Sequence, residues 1–273
     1  MSISQDYTDY IAWDRLPHMW CPGCGNGIAL KGLALALAKQ GIPRHKVLMA
    51  TGIGCSGRAG SYVSFHSFDG THGRTIAFCT GINAAQPDLK IVAFLGDGDC
   101  GAIGGNHLLH AARRNNDLTV LEINNFTYGM TGGQFSPTTP AHSFSSTSKH
   151  GKADYGMDMC YLVAEAGANY VASTTVYHTA QLNKFINEAI STRGFSFVEI
   201  ASPCPTYYGR HNNLRSAPEM MEWFKERALP KEKYDELTIE EKQKYIMRGR
   251  LVQRDREDFL TMYMNELNNE QQI

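Results

Sequence analysis

Two groups of residues in this chain have the types and spacing to do chemistry. In the first, Gly96-Asp97-Gly98-Asp99 follows directly on the apolar run Ile91-Val-Ala-Phe-Leu95, and Asn124-Asn125 ends the next such run, with Asn125 lying 28 positions after Asp97. Glycines at a strand end let backbone approach a diphosphate, and a helix that follows aims its free N–H groups at it. A carboxylate and an amide oxygen from neighbouring strand ends suit octahedral Mg²⁺. Alone, such a glycine–acid motif reads equally well as an acidic turn, and it is the asparagine pair at a matching strand end that argues for a site.

In the second group, Cys21-Pro-Gly-Cys24 sets two thiols around a tight turn, Cys55 closes Gly52-Ile-Gly-Cys55, and Cys204 ends Ser-Pro-Cys. Four soft ligands suit tetrahedral Zn²⁺ or an iron–sulfur cluster, and a CxxC pair cannot choose between them. A redox dithiol is a weaker third option, since this pair precedes a helix. Cys79, Cys100 and Cys160 have no partner at metal spacing and read as buried free thiols. His107 and His110 stand at i and i+3 like a metal pair, but read as packing residues.

These groups need elements to hold them. Residues 27–39 pattern as a helix ended by Gly41 and Pro43. The apolar runs 47–50, 91–95 and 118–123 are too short for helices and end in Gly, Asp or Asn, as strands of a parallel sheet buried on both faces do. Helical patterns at 73–86 and 105–115 lie between them, so the fold class is a doubly wound, mostly parallel α/β sheet with ligands at the carboxyl ends of its strands. The sheet resumes with strand 169–176, helix 179–192 and strand 195–201. Residues 134–156, rich in Ser, Thr, Pro and His, form a loop long enough to predict a lid or contact role. From residue 216 onward 23 of 58 residues are charged, against 30 of the preceding 215, which predicts two parts: a cofactor domain over 1–215 and a charged helical C-terminal tail over 216–273.

Composition excludes several classes. With 26 basic and 27 acidic side chains the formal charge is −1, so no net field draws the protein to nucleic acid or an anionic membrane. The longest apolar stretch, 28–38, is interrupted by Lys31 and is short of the ~18 residues of a membrane span. The polar start MSISQDYTDY does not read as a signal peptide, and seven cysteines without an export signal predict a cytoplasmic protein with reduced thiols or metal ligands.

Taken together, WCPGCG, TGIGCSGR, THGR, GDGD, GGNH, ARRN, NNFTYGMTGGQ and SPTTP resemble the β subunit of 2-oxoacid:ferredoxin oxidoreductases, in order from Trp20 to about Cys204. The resemblance implies a thiamine-diphosphate-binding fold, with Mg²⁺ held by Asp97, Asn125 and the carbonyl of Thr127, and with Asp99 and the Thr131 hydroxyl helping to hold the diphosphate. It places Ile53, Gly54, Cys55, His72, Gly73, Gly96, Gly98, Gly129 and Met130 around the same cofactor. It implies one [4Fe-4S] cluster on Cys21, Cys24, Cys55 and Cys204, a redox role that zinc could not fill. The family reaction is CoA-dependent oxidative decarboxylation of a 2-oxoacid, with electrons passing through the cluster to ferredoxin, and it can run in reverse.

Within that resemblance His72 of THGR is the candidate for proton handling at the reacting centre, with a structural histidine as the alternative. Arg58, three residues after Cys55, is the candidate cation for a substrate carboxylate if its loop turns to the cofactor. FDGTHGR resembles the 2-oxoglutarate-type members, and pyruvate or branched-chain 2-oxoacids are the alternatives. A non-redox thiamine enzyme with structural zinc, and a zinc-stabilised scaffold without catalysis, are the competing functions. No glutamate suited to activating thiamine occurs before GDGD, and family members take it from a partner α subunit, so the expected assembly is αβ or its dimer. A CxxCxxCxxxCP run is also missing, so electrons would leave through the one cluster. The aromatic and methionine residues of the tail, among them Trp223, Phe224, Phe259, Met262, Tyr263 and Met264, are set among dense opposite charges and are expected at the α-subunit contact, with a solvated helix as the alternative.

Overall fold

The computed structural model describes residues 6–270. Its first helix, α1 (Asn26–Gln40), ends where Gly41 adopts φ 64° and returns its N–H to Ala38 and Leu37, the glycine stop expected of the sequence. There follow β1 (Val47–Thr51), β2 (His66–Asp69), α2 (Thr75–Ala85), β3 (Lys90–Gly96), the short α3 (Asp97–Gly101), α4 (Gly105–Arg114) and β4 (Thr119–Asn124). After a long irregular segment come α5 (Met159–Ala166), β5 (Tyr170–Thr175), α6 (Thr179–Ser191) and β6 (Ser196–Ala201).

The strands lie side by side in the order β2-β1-β3-β4-β6-β5, all parallel. Their side chains alternate between two cores. Val92, Phe94 and Leu121 pack under Leu33 and Leu37 of α1 and Leu182 and Ile186 of α6. Ile91, Ala93 and Leu95 pack under Ile76, Leu108 and Val163 of α2, α4 and α5. This double burial is why β3 and β4 are near-continuous apolar runs. Because the chain leaves β1 on one side towards β2 and returns on the other as β3, the loops after β1 and β3 face each other at the carboxyl end, where such sheets form a ligand crevice.

The C-terminal segment contains α7 (Ala217–Arg227), β7 (Ala228–Pro230), α8 (Lys231–Asp235), α9 (Ile239–Lys242), β8 (Ile246–Gln253) and α10 (Phe259–Glu270). Besides the expected helices it therefore supplies two strands. β8 pairs antiparallel with β5 and parallel with β7, extending the sheet to eight strands. The physical reason is that β7 covers only Ile246, Met247 and Arg248 of β8, so the rest of that strand's outer side is unpaired and blunted with charge such as Arg250, and its composition resembles a solvated helix. Phe224 is buried and Trp223 stacks edge-on against Phe126 and Tyr208, so these two serve this chain's own core. Met262, Tyr263 and Met264 on α10 are exposed. The first five residues and the last three, 271–273, which the expected domain bounds include, lie outside the described residues.

Candidate active site

Asp97 opens α3 directly from the end of β3, and its carboxylate is buried. Oδ2 accepts from Ser136 Oγ at 2.6 Å and Thr138 Oγ1 at 2.8 Å, and Oδ1 accepts from Gly98 N at 3.0 Å. Burial pushes the carboxyl up to about 6, although these donors oppose the shift. Among the described residues no basic side chain pairs with it. A buried anion that lacks a cation, facing an amide and a carbonyl, is a donor set suited to a hard divalent metal.

The opposing loop follows β4. Asn124 Oδ1 accepts from Phe126 N at 3.1 Å, and Asn125 Oδ1 from Thr127 N at 3.2 Å. Phe126 itself has φ 61°, a left-handed conformation that costs a bulky residue energy. The Asn124 bond and the packing of Phe126 on Tyr208, with ring centroids 5.4 Å apart, offset that cost.

Asp99 is held by donors from neighbouring loops. Its Oδ1 accepts from His72 Nδ1 at 2.6 Å, Gly73 N at 3.0 Å and Ile53 N at 3.4 Å, and its Oδ2 lies 3.5 Å from Gly96 N. It thus joins the loops after β1, β2 and β3. The Nδ1 contact orients the His72 ring and leaves Nε2 for other partners. Thr131 Oγ1 donates to Gln134 Oε1 at 2.6 Å.

All the residues expected around the cofactor except Gly73 line one cleft, together with Ser56 and Tyr128, which the sequence reading missed. Gly73 contributes instead through its N–H to Asp99. A second cavity adjoins the cleft and is lined by Cys21, Cys24, Cys55 and Cys204, with Met19, Trp20, Arg58 and Tyr207. Cys55, Asn125, Gly129 and Met130 line both. A Cβ on Gly129 would stand 3.4 Å from Cys55 Sγ and 3.8 Å from Cys204 Sγ, so the wall between the two spaces is one glycine thick there.

Three segments bring the thiols together. The Cys21–Cys24 turn closes with Cys24 N donating to Cys21 O at 3.0 Å, and Trp20 Nε1 donates to Cys55 O at 2.6 Å. Gly23, at φ 83°, packs so tightly on the start of α7 that a Cβ would collide with Ala217, which ties the C-terminal segment to this cavity. Burial, then mutual repulsion, pushes the thiols up: Cys24 to about 12, Cys55 to about 11, and Cys204 in the same direction. Backbone N–H groups of Asn26, Tyr207 and Tyr208 oppose this by pointing at sulfur. Among the described residues no three Cys, His, Asp or Glu side chains converge closely enough to hold a metal ion. The four thiols line one cavity, and burial with mutual repulsion acts on three of them, Cys24, Cys55 and Cys204.

Arg58 is exposed and belongs to the cysteine cavity, because its loop continues as a 3₁₀ turn (Ser56–Tyr62). His107 lies 2.9 Å from Arg74 Nη1 and His110 3.4 Å from Arg113 Nε, so the two are engaged separately with arginines. Cys79, Cys100 and Cys160 are buried, apart from the four-cysteine cavity. The hydroxyls of Ser136 and Thr138 went unread because Asp97 lies about forty residues away in sequence; the SPTTP motif was their only signal.

No helix among the described residues is long and apolar enough to cross a membrane. Residues 42–200 match the family described as thiamine pyrophosphate enzyme, C-terminal TPP binding domain. The chain is 48% identical over 242 residues to the 2-oxoglutarate synthase subunit KorB of Methanothermobacter marburgensis, covering 88% of this chain and 85% of that one. It is 44% identical to the KorB subunit of Methanocaldococcus jannaschii, with 92% and 93% covered. Among solved structures, the 2-oxoglutarate:ferredoxin oxidoreductase from Magnetococcus marinus, with 2-oxoglutarate, coenzyme A and succinyl-CoA bound, superposes with TM-score 0.84 at 29% identity, covering 97% of this chain and 91% of that one. With a thiamine-type cleft joined to a four-cysteine cavity, and relatives of this closeness along most of its length, the chain belongs to the β subunits of 2-oxoacid:ferredoxin oxidoreductases of the 2-oxoglutarate type.

Proposed function

We propose that this chain, with a partner α subunit, converts 2-oxoglutarate and coenzyme A to succinyl-CoA and CO₂ in the cytoplasm, passing electrons to ferredoxin, and that the reaction is reversible. The observation that carries the proposal is the shared wall: Cys55, Asn125, Gly129 and Met130 border both the acid–amide cleft and the four-thiol cavity. Thiamine diphosphate would supply the electron sink for decarboxylation, and a [4Fe-4S] cluster would accept electrons singly.

The chain's residues fit these groups. Asp97, Asn125 and the Thr127 carbonyl would hold Mg²⁺, and the glycines of GDGD leave backbone room for the diphosphate. Cys21, Cys24, Cys55 and Cys204 would ligate the cluster. His72, oriented through Nδ1 by Asp99, keeps Nε2 able to hold or release a proton at the substrate. Arg58 brings a positive charge to the four-thiol cavity beside that wall and would attract a substrate carboxylate from there. The 2-oxoglutarate preference is supported by the names of the relatives and by the ligands of the Magnetococcus structure. The activating glutamate and much of the coenzyme A contact fall to the α subunit, in an αβ or (αβ)₂ assembly. Residues 1–215 carry the cofactor groups, and 216–273 serve subunit contact, with Met262, Tyr263 and Met264 available on α10.

Anaerobic purification of the complex, metal analysis and a screen of 2-oxoacids for CoA-dependent ferredoxin reduction test this. About four irons per β chain and preferential use of 2-oxoglutarate are expected from Cys₄ ligation and the family assignment. A colourless protein with one zinc per chain, or decarboxylation without electron transfer, would refute it. Pyruvate or branched-chain acids as preferred substrates would overturn the substrate alone.

A further inference from the structure

The hydroxyls of Ser136, Thr138 and Thr139 do not face the cleft as a lid would; they run behind it. Ser136 Oγ and Thr138 Oγ1 both meet Asp97 Oδ2, at 2.6 Å and 2.8 Å. Thr138 Oγ1 also stands 2.8 Å from Asn124 Oδ1, and Thr139 Oγ1 donates to Phe126 O at 2.7 Å. One four-residue stretch, 136–139, therefore grips both ligand-bearing loops, the one after β3 and the one after β4. The stretch is itself anchored from the far side. Gln243, just past α9, accepts through Oε1 from Ala141 N at 3.1 Å and Gly156 N at 2.7 Å, tying the backbone just beyond the stretch to a later part of the same irregular segment.

We infer that Ser136 and Thr138 are positioning residues that fix the Asp97 carboxylate so that Oδ1 faces the divalent cation, with Gln243 of the C-terminal segment holding their strap in place. This rests on the proposal that Asp97 holds Mg²⁺. With two hydroxyl donors on Oδ2, that oxygen's lone pairs are committed, whereas Oδ1 accepts only its neighbour's N–H. Thr138 on Asp97 and the adjacent Thr139 on the Phe126 carbonyl tie the two loops together, which also sets the spacing between Asp97 and Asn125. Such outer contacts to a metal ligand typically alter affinity by about 10–100-fold when removed. Each hydroxyl has one proton, so Thr138 can serve Asp97 or Asn124 but not both at once. Negative charge on Asp97 favours the first.

The test uses the complex stripped of cofactor, titrated with Mg²⁺ and thiamine diphosphate by calorimetry, and separately with Mn²⁺ followed by electron spin resonance. Thr138→Val should weaken cation binding about tenfold, while Thr138→Ser, which keeps the hydroxyl, should stay within about twofold of the unaltered complex. Gln243→Leu, which touches neither ligand loop, should weaken it about threefold. Ser136→Ala carries the same test should Thr138→Val fail to fold. Cation affinity unchanged in Thr138→Val overturns the inference, as does equal loss in the Val and Ser variants alongside equal lowering of the melting temperature, which marks a packing role. An unaltered complex that binds neither cation nor thiamine diphosphate refutes the proposed function of Asp97, and the strap's role with it.

Discussion

The two ends of this site are assembled by different forces. At the acid end, Asp97 and Asp99 are satisfied by hydroxyl, imidazole and backbone donors supplied by the chain, and the Asn125 turn is closed by Thr127 N. At the sulfur end, four thiols arrive from three segments, with burial and mutual repulsion raising Cys24, Cys55 and Cys204. Few contacts hold those segments to one another: the Trp20–Cys55 hydrogen bond and the close packing of Gly25 on Ser202 and Pro203 are the clearest. The fold builds the first end in advance. The second would be completed by the proposed cluster, whose thiolate ligation would add its free energy to folding.

Substitutions at one end should therefore leave the other largely intact. The largest effect is expected from Cys204→Ser: the cluster is lost, ferredoxin reduction falls to background, and iron analysis reports the loss, while Mg²⁺ and thiamine diphosphate affinity, read by calorimetry, stays within about twofold. Reciprocal behaviour is expected of Asp97→Asn. Removing the buried charge should weaken Mg²⁺–thiamine diphosphate binding by about 100-fold or more, with iron content unchanged. If either variant damages both ends equally, the shared wall at Gly129 is a folding unit and the contrast fails. A smaller effect is expected of Arg58→Gln, which should raise KM for 2-oxoglutarate about tenfold while changing kcat little, because a cation near the wall contributes chiefly to binding. A fall in kcat with KM unchanged would move Arg58 from binding to the chemical step.

The legible parts of this protein are those with a local cause. Glycine stops such as Gly41 and doubly buried strands such as β3 announced themselves, and GDGD and Asn124-Asn125 could be placed at strand ends because those strands were found. β2 was missed because His66–Asp69 is an exposed edge strand without an apolar run. α5 was missed because it follows a long irregular segment and announces itself only by Asp158 at its N-cap. Contacts between distant segments left no local trace. Nothing near Asp99 in sequence predicts that His72, Gly73 and Ile53 would use its oxygens, and nothing near Cys55 predicts the 3₁₀ turn that carries Arg58 to the cysteine side.

A third group of acids, around a separate cavity, sharpens the contrast. Glu122, fully buried, and Glu199, partly buried, are directly paired across β4 and β6 and both pushed up in pKa, by burial first and then, for Glu122, by Glu199 itself. Asp158, on the wall of the cavity shared with Glu199, is pushed up from 3.8 to about 6 by burial. A carboxyl raised in the folded state contributes stability that is present below its unfolded value and lost as pH rises through the folded one. For Asp158 that loss spans pH 3.8 to about 6. Asp158→Asn keeps an N-cap oxygen for Tyr161 N but removes the titration. The variant should match the unaltered protein near pH 4 and exceed its stability near pH 8 by about 1–3 kcal/mol, as urea melts at the two pH values would show. A variant less stable near pH 8 would instead mean that the Asp158 anion is stabilised through the Lys242 ammonium, whose field lowers its pKa. That cavity would then be charge-assembled like the acid end. The expected gain marks it as structural burial, held by packing at a cost in charge.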